Sequence, residues 1–182
     1  MKMQDLSKLN RPLSIEEIDF RVQSINKGGY ATILAYKDAR VDMNRLDEVV
    51  GPLGWRREHL NGNANCIISI WDNENKHWVS KEDTGSESQS DSAKGLASDS
   101  FKRAAFNWGI GRELYDYPVI SIKLNADEFT EVAGKIKQSW NLRLREWTWF
   151  SQFNEGKLNY IACKDDKGVL RFNYGKFNKE AK

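Results

Sequence analysis

Apolar positions recur along the chain in two periods, and each change of period marks an element. Ile18, Phe20 and Val22 alternate with Asp19, Arg21 and Gln23, as in a strand with one buried face. Lys27-Gly28-Gly29 turns the chain, and the β-rich run from Tyr30 to Tyr36 completes a hairpin. After Lys37-Asp38-Ala39, the spacing of Val41, Leu46, Val49 and Val50 predicts a helix, which Gly51, Pro52 and Gly54 stop. Three strands follow, Trp55 to Leu60, Cys66 to Trp71 and Trp78 to Asp83. The turn stretches Asn61-Gly62-Asn63 and Asp72-Asn73-Glu74-Asn75 separate them, which makes an antiparallel meander.

The strongest helical period lies in the stretch from Asp91 to Pro118. Ala93, Ala97, Phe101, Ala104, Ala105 and Trp108 fall three or four residues apart and form one apolar stripe. Asp91 or Ser92 can cap its start, and Gly109 and Gly111 can end it. Lys94, Ser98 and Lys102 fall on another face, with Arg103 beside Lys102. The oily side must lie on the meander, because neither element can bury its apolar side alone. Pattern alone leaves the cationic side open between a solvated face and a binding face. Thr84 to Ser92, small and polar, reads either as a loop that a partner orders or as a plain exposed connection.

Residues 1–14 form a polar lead in which Leu6, Leu9 and Leu13 make a helical edge that Pro12 interrupts. Ser14-Ile15-Glu16-Glu17 starts a brief helical turn. Past Pro118, Val119 to Leu124 reads as a strand, Asp127 to Lys137 as a helix, and Trp140 to Tyr174 as three strands. In the first of those three, period two puts Arg143, Arg145, Trp147 and Trp149 on one face, with Leu142, Leu144 and Phe150 on the other. The expected fold class is α+β: a β-β-β-α core with its helix packed across an antiparallel sheet, then a β-rich basic extension. The expected divisions are a lead at 1–14, a core domain at 15–120 and the extension at 121–182.

Composition narrows the function classes. The 182 residues suffice for one domain, or one domain with an appendage. No apolar run reaches 18 residues, and the Met-Lys-Met-Gln-Asp start has no apolar core for export, so the expectation is a cytoplasmic protein with no membrane partner. Cys66 and Cys163 belong to no CxxC, and His59 and His77 have no third ligand at metal spacing, so neither a disulfide framework nor a metal site is expected. The net charge of +2 hides an uneven distribution. Gly134 to Lys182 carries 11 Lys and Arg against 5 Asp and Glu, and the rest carries 17 against 21.

Three pieces in fixed order carry a family resemblance: Tyr36 to Trp55 (YKDARVDMNRLDEVVGPLGW), the run Lys81-Glu82-Asp83-Thr84-Gly85, and Ser100-Phe101-Lys102-Arg103-Ala104 leading to Gly109, Gly111 and Leu114-Tyr115-Asp116. Over roughly Tyr30 to Pro118 the chain resembles the Rad fifty-two superfamily of single-strand annealing proteins, which includes phage annealing proteins of the Sak type and the bacterial DNA-damage-response protein A. The resemblance implies ATP-independent, sequence-tolerant binding of single-stranded DNA and annealing of complementary strands in recombination or repair. It also implies a homo-oligomeric ring, in the cytoplasm of a bacterial or phage-infected cell. Candidate protein partners are a single-strand-binding protein or a recombination exonuclease. Annealing makes and breaks no covalent bond, so no catalytic residue, metal or cofactor is expected. What it requires is a row of cations that holds phosphates and leaves base edges free to pair.

By this resemblance Lys102 and Arg103 match the adjacent Lys-Arg pair of the superfamily's inner DNA groove, and Tyr36 and Arg40 match its aromatic and basic positions near that groove. Lys94, Arg45, Lys81 and Arg112 are added from charge and proximity in sequence alone. Tyr36 has a second reading as a core tyrosine, and Arg40 and Arg45 as partners of Asp38, Asp42 or Glu48. The resemblance fades after Pro118. There, the Arg143, Arg145, Trp147, Trp149 face mixes cations with flat rings on which bases stack, against the alternative that the tryptophans are core or subunit contacts. Two other functions compete: a binder that protects strand ends without pairing them, and a metal-dependent nuclease built on Asp72 and Glu74-Asn75-Lys76 with Glu82, Asp83 and Glu87.

Overall fold

The computed structural model of the protein describes residues 5–86 and 92–179, apart from the side chains of 92–94. The hairpin forms as β1 (Asp19–Ile25) and β2 (Tyr30–Tyr36), followed by α1 (Ala39–Val50). The meander forms as β3 (Trp55–Leu60), β4 (Asn65–Asp72) and β5 (His77–Thr84), and the long helix as α2 (Ser92–Asn107). The rest is β6 (Ile120–Lys123), β7 (Phe129–Val132), β8 (Lys135–Gln138), β9 (Thr148–Asn154), β10 (Lys157–Lys164) and β11 (Leu170–Gly175). The fold is α+β with antiparallel sheets, as expected.

The chain divides into two compact units, one of Met1–Leu13 with Lys37–Arg112 and one of Ser14–Tyr36 with Glu113–Lys182. In the first unit, β4 lies between β3 and β5. Alternation along β4 turns Cys66, Ile68 and Ile70 to one side, where they meet Phe101, Ala104 and Ala105 of α2 and Leu46 and Val50 of α1. Phe101, Ala104 and Ala105 have no exposed surface. The two alanines let the helix backbone approach the sheet, and complete burial of Phe101 stabilises the packing by roughly 2 to 3 kcal/mol. Asp38 caps α1 by accepting a hydrogen bond from the Arg40 backbone N–H at 2.8 Å.

The second unit contains the sheets β1-β2-β6 and β9-β10-β11 and the hairpin β7-β8. Ala31, Ile33, Ile120, Ile122, Leu142, Trp147, Ile161 and Cys163 share its core. The expected division at 120 and 121 therefore does not follow the compact units. Pairing of Ile33 with Ile120 and Tyr30 with Lys123 brings β1 and β2 into the company of the C-terminal strands. Cys66 and Cys163 are free and buried in separate cores, and burial pushes their thiols up to about 11 and about 12.

Two expectations fail here. Asp127 to Lys137 contains no helix: β7 and β8 form a hairpin in which Val132 pairs with Lys135 across Ala133-Gly134. Both turn residues have positive φ, +51° and +74°, which is the geometry that closes a two-residue hairpin, and Phe129, Thr130 and Val132 favour strand over helix. The single alternating face at Arg143, Arg145, Trp147 and Trp149 also does not form. A 3-10 turn occupies Leu144–Glu146, so period two begins only at Thr148.

Inside the second unit, Arg171 donates to Glu128 at 2.7 and 2.9 Å and to Asp165 at 3.2 Å, and its guanidinium lies 4.7 Å from the centre of the Trp147 ring. Burial alone would raise both carboxyls. For Glu128 the hydrogen bonds and charge of Arg171 together with the Asn125 N–H outweigh it, and for Asp165 the Val169 and Lys167 N–H groups together with Arg171 do so, which holds each below its usual range. A carboxyl depressed in the fold contributes stability above its unfolded value, and that contribution is lost as pH falls through the folded one. Arg171→Met, measured by urea unfolding at neutral pH, should cost about 3 kcal/mol, because it leaves two buried carboxylates without their cation. The gap between variant and wild type should narrow as pH falls below the ordinary carboxylate values of 4.5 and 3.8.

Candidate nucleic-acid interface

The Lys81-to-Gly85 run lies along α2 as a strand whose alternate residues face the helix. Lys81 Nζ donates to the Asn107 carbonyl at 2.7 Å and sits 4.5 Å from the centre of the Trp108 ring. Two residues on, Asp83 Oδ1 accepts from Arg103 Nε and Nη2, both at 3.3 Å. Gly85 comes next against the helix backbone, where an added Cβ would stand 2.6 Å from the Ser100 nitrogen. Asn107 binds the same run in return, donating from Nδ2 to the Glu82 carbonyl at 3.0 Å. Ser86 continues the contact by donating from its backbone N–H to Asp99 at 2.9 Å. The part of the 84–92 stretch that is described is therefore tied to α2, and residues 87–91, including the candidate cap Asp91 and the candidate acid Glu87, lie outside the described residues.

The C-terminal end of α2 gathers two of the expected site residues. Arg112 donates to the Phe106 carbonyl at 2.7 and 3.0 Å and to that of Asn107 at 3.2 Å, the carbonyl that Lys81 also reaches. Carbonyls in the last turn of a helix have no acceptor role within it and carry the negative end of its dipole, so two cations there act as caps. Both side chains remain exposed.

Lys102 and Arg103 are neighbours in sequence but turn to different sides of α2, as a rotation of about 100° per residue requires. Arg103 faces β5 through Asp83 and keeps 42% of its side chain exposed. Lys102 is half-buried on the side of α1, where its charge acts on Asp42. Asp42 is wholly buried and ion-paired with Lys37, and Lys37 lies 4.4 Å from the centre of the Phe106 ring. Burial pushes the Asp42 carboxyl up to about 6 against the pull of Lys37, Lys102 and Arg45. Its Oδ2 has no hydrogen-bond partner among the described residues.

Arg45 corrects one expectation. It is 1% exposed and donates to the Arg11 carbonyl at 2.8 Å, so it serves the core of the first unit and is not available to a strand of DNA. Arg40 is its opposite, with 84% of its side chain exposed at the start of α1 and a 3.3 Å pair to the exposed Asp38. Lys94 lies in the first turn of α2, and its side chain is outside the described residues.

The remaining expected residues belong to the second unit. Tyr36, Arg145, Trp147 and Trp149 line one cavity of about 390 Å³, together with Glu16, Asp19 and Phe20. The stacking surface expected from the two tryptophans is not there. Trp147 is 6% exposed and packs in the core under Arg171. Trp149 is half-buried, and Phe20 occupies one of its ring faces in a parallel stack 3.6 Å away. Tyr36 is half-buried with the Arg21 guanidinium 5.3 Å from its ring centre. Arg143 is exposed and pairs with Glu146 at 3.3 Å, a surface contact of small energetic weight.

Sequence reasoning missed the structural duties of Lys81, Asp83 and Gly85. Their alternation inside a short motif is the signal that could have exposed them, since period two puts all three on one face of a strand. Asp72, Glu82 and Asp83 of the nuclease reading are also engaged locally. Asp72 accepts from the backbone N–H groups of Glu74 and Asn75 at 2.8 and 3.1 Å, which folds the tip of the turn. Among the described residues no group of three or more His, Cys, Asp or Glu side chains is placed to hold a metal ion, and no helix among them is long and apolar enough to cross a membrane.

Two proteins named single-stranded DNA-binding protein DdrA, from Deinococcus radiodurans and Deinococcus deserti, are 33% and 34% identical to the chain over 122 residues. The matched stretch is 65% of this chain and 58% and 60% of those proteins, so the chain spans about three fifths of the length of the relatives it matches. No protein-family model matches the chain.

The close approach at Gly85 gives a direct check on the interlock of β5 and α2. Gly85→Ala should lower stability by about 1 to 3 kcal/mol, because the new methyl must push the helix backbone away from the strand. Chemical denaturation measures the loss, and hydrogen exchange should find faster opening of amides between Ser100 and Asn107.

Proposed function

We propose that the chain binds single-stranded DNA without sequence preference and anneals complementary strands, independently of ATP, as a homo-oligomeric ring of the Rad fifty-two superfamily acting in recombination or repair. The observation that carries this reading is the similarity to two proteins named for binding single-stranded DNA, together with α2 lying within the segment that resembles the annealing superfamily. Lys102 and Arg103 are the principal phosphate contacts. Arg40 is an exposed cation at the start of α1, and Lys81 and Arg112 flank the far end of α2 with part of their donor capacity turned to the helix carbonyls.

The mechanism needs no chemistry beyond charge and shape. Cations on α2 hold phosphates and release the counterions condensed on the strand, which supplies affinity that no base identity alters. Asp83 holds the Arg103 guanidinium on the β5 side of α2 while leaving much of it in solvent, and Lys102 is drawn toward Asp42 on the α1 side. A strand gripped through its backbone presents its bases outward, where a complementary strand can meet them. A second copy of the site on each neighbouring subunit lengthens the strand held in this way and makes binding cooperative. A bacterial cytoplasm is the compartment this role implies. A second reading, a binder that covers strand ends without pairing them, is favoured by the relatives' name, which speaks of binding.

Mixing two complementary labelled oligonucleotides with the protein separates the readings. Accelerated pairing without ATP is the expected outcome, protection from an exonuclease without accelerated pairing supports the second reading, and magnesium-dependent cutting would overturn both. Lys102→Ala with Arg103→Ala should leave the oligomeric mass, measured by light scattering, equal to that of the wild type but lose most binding and annealing, and its affinity should fall less steeply with salt, by about 1.4 in logarithmic slope for two phosphate contacts. Asp83→Asn serves as the control. It removes the partner of Arg103 while sparing the guanidinium, so binding should be kept or strengthened, whereas a purely structural Arg103 would make it weaken binding as the double variant does.

A further inference from the structure

The outer face of the β9-β10-β11 sheet carries rings that the core of the second unit does not use. Along β10, Ile161 and Cys163 turn into that core, and Tyr160, Ala162 and Lys164 turn the other way. The register pairs Ala162 with Phe150 and Lys164 with Thr148, so these side chains share the outer face. The chain after β11 is then brought back across it. Gly175 has φ of +80°, and an added Cβ would stand 2.0 Å from the Asn159 carbonyl oxygen, so only glycine makes this turn. The Lys176 N–H donates to the Asn159 carbonyl at 3.0 Å, and Asn159 Nδ2 donates to the Lys176 carbonyl at 3.1 Å. Gln152 completes the clamp, donating to the Asn178 carbonyl at 2.7 Å and accepting from the Asn178 N–H at 2.8 Å.

The clamp sets Phe177 edge-on to both Phe150 and Tyr160, with ring centres 5.5 and 5.6 Å apart. Phe150 and Phe177 nevertheless stay 45% and 49% exposed, and Leu170 stays 53% exposed beside them. The three rings border a groove of about 380 Å³ whose lining, among the described residues, includes one cation, Lys164, and no carboxylate.

We propose that this groove is a stacking site for the bases of a single nucleic-acid strand, with Lys164 against an adjacent phosphate. The choice of occupant rests on the reading of the chain as a single-strand binder. Its support from the groove itself is the charge and shape of the lining: three flat rings, two of them exposed, a lysine with no opposing acid among the described lining residues, and an outer face in the segment where Lys and Arg outnumber Asp and Glu by 11 to 5. Stacking on rings accepts any base, so this contact adds affinity without adding sequence preference. It also replaces the contact that Trp147 and Trp149 cannot make.

The test uses the full chain and a labelled single-stranded oligothymidylate. Phe150→Leu keeps an apolar side chain in the strand while removing the flat ring, and Phe177→Ala removes the ring that the clamp positions; both are checked for folding by circular dichroism. Each should weaken binding about ten-fold with the salt dependence unchanged, whereas Lys164→Gln should lower the logarithmic salt slope by about 0.7. Photocrosslinking of a 5-iodouracil oligonucleotide should mark Phe150, Tyr160 or Phe177. A wild type that binds, with both ring variants binding equally well and no crosslink at these residues, overturns the groove and leaves the single-strand reading intact. A wild type that does not bind the oligonucleotide overturns both. Ring variants that change the oligomeric mass without changing affinity also overturn the proposal, by making this face a contact between copies of the chain.

Discussion

The first unit depends on one constraint, the strand β5 laid antiparallel along α2 so that every second residue meets the helix. From Lys81 to Gly85 a strand covers about 13 Å, and from Asn107 back to Ser100 a helix covers about 10 Å, so three contacts on the strand find three successive places on the helix. A charge caps the last turn, an ion pair fixes the middle, and a residue without a side chain lets the backbones touch. Moving the strand by one residue would turn all three away from α2 and present Glu82 and Thr84 instead. The short motif is thus a register device, and the position of Arg103 on α2 against β5 follows from it.

That device has a consequence for binding. An ion pair as exposed as Arg103 with Asp83 contributes little to stability, so the guanidinium can exchange its carboxylate for a phosphate at small cost. Lys37 and Asp42 differ in kind. Both are buried, and removing either partner would strand a charge in the core, so they belong to the scaffold under α2 and not to its surface. The contrast sorts the basic residues near α2 by what surrounds them: Arg45 and Lys37 hold the fold, Lys81 and Arg112 divide between helix carbonyls and solvent, and Lys102, Arg103 and Arg40 keep charge within reach of a ligand.

Local pattern carried the strands and helices of the first unit almost to their ends, because alternation in β3 to β5 and the alanine-rich stripe of α2 both report a single buried face. It failed where two residues outweighed a longer run. Ala133 and Gly134, both left-handed, close a hairpin in the segment read as a helix, and one 3-10 turn at Leu144–Glu146 resets the alternation before β9. Pairing of β2 with β6 was hidden for another reason. The two strands are some ninety residues apart, and nothing in either one names its partner. Among the expected site residues, Arg45 and Trp147 were misplaced because charge and ring type do not reveal burial, which depends on packing against distant segments.

The reset of alternation also explains why the aromatic surface of the second unit lies elsewhere than the run of tryptophans suggests. Once β9 starts at Thr148, Trp149 points with Cys163 toward the core and Phe150 points with Ala162 away from it. In β9 the larger ring thus faces the interior and the smaller one the exterior, which suits both tasks. A buried indole offers more area to the core than a phenyl ring, and a phenyl ring left in solvent exposes less apolar surface when no ligand covers it. Lys164 then stands beside the exposed Phe150 and Phe177 and the half-buried Tyr160, not beside tryptophan, and that pairing makes the outer face suited to a flat, anionic chain.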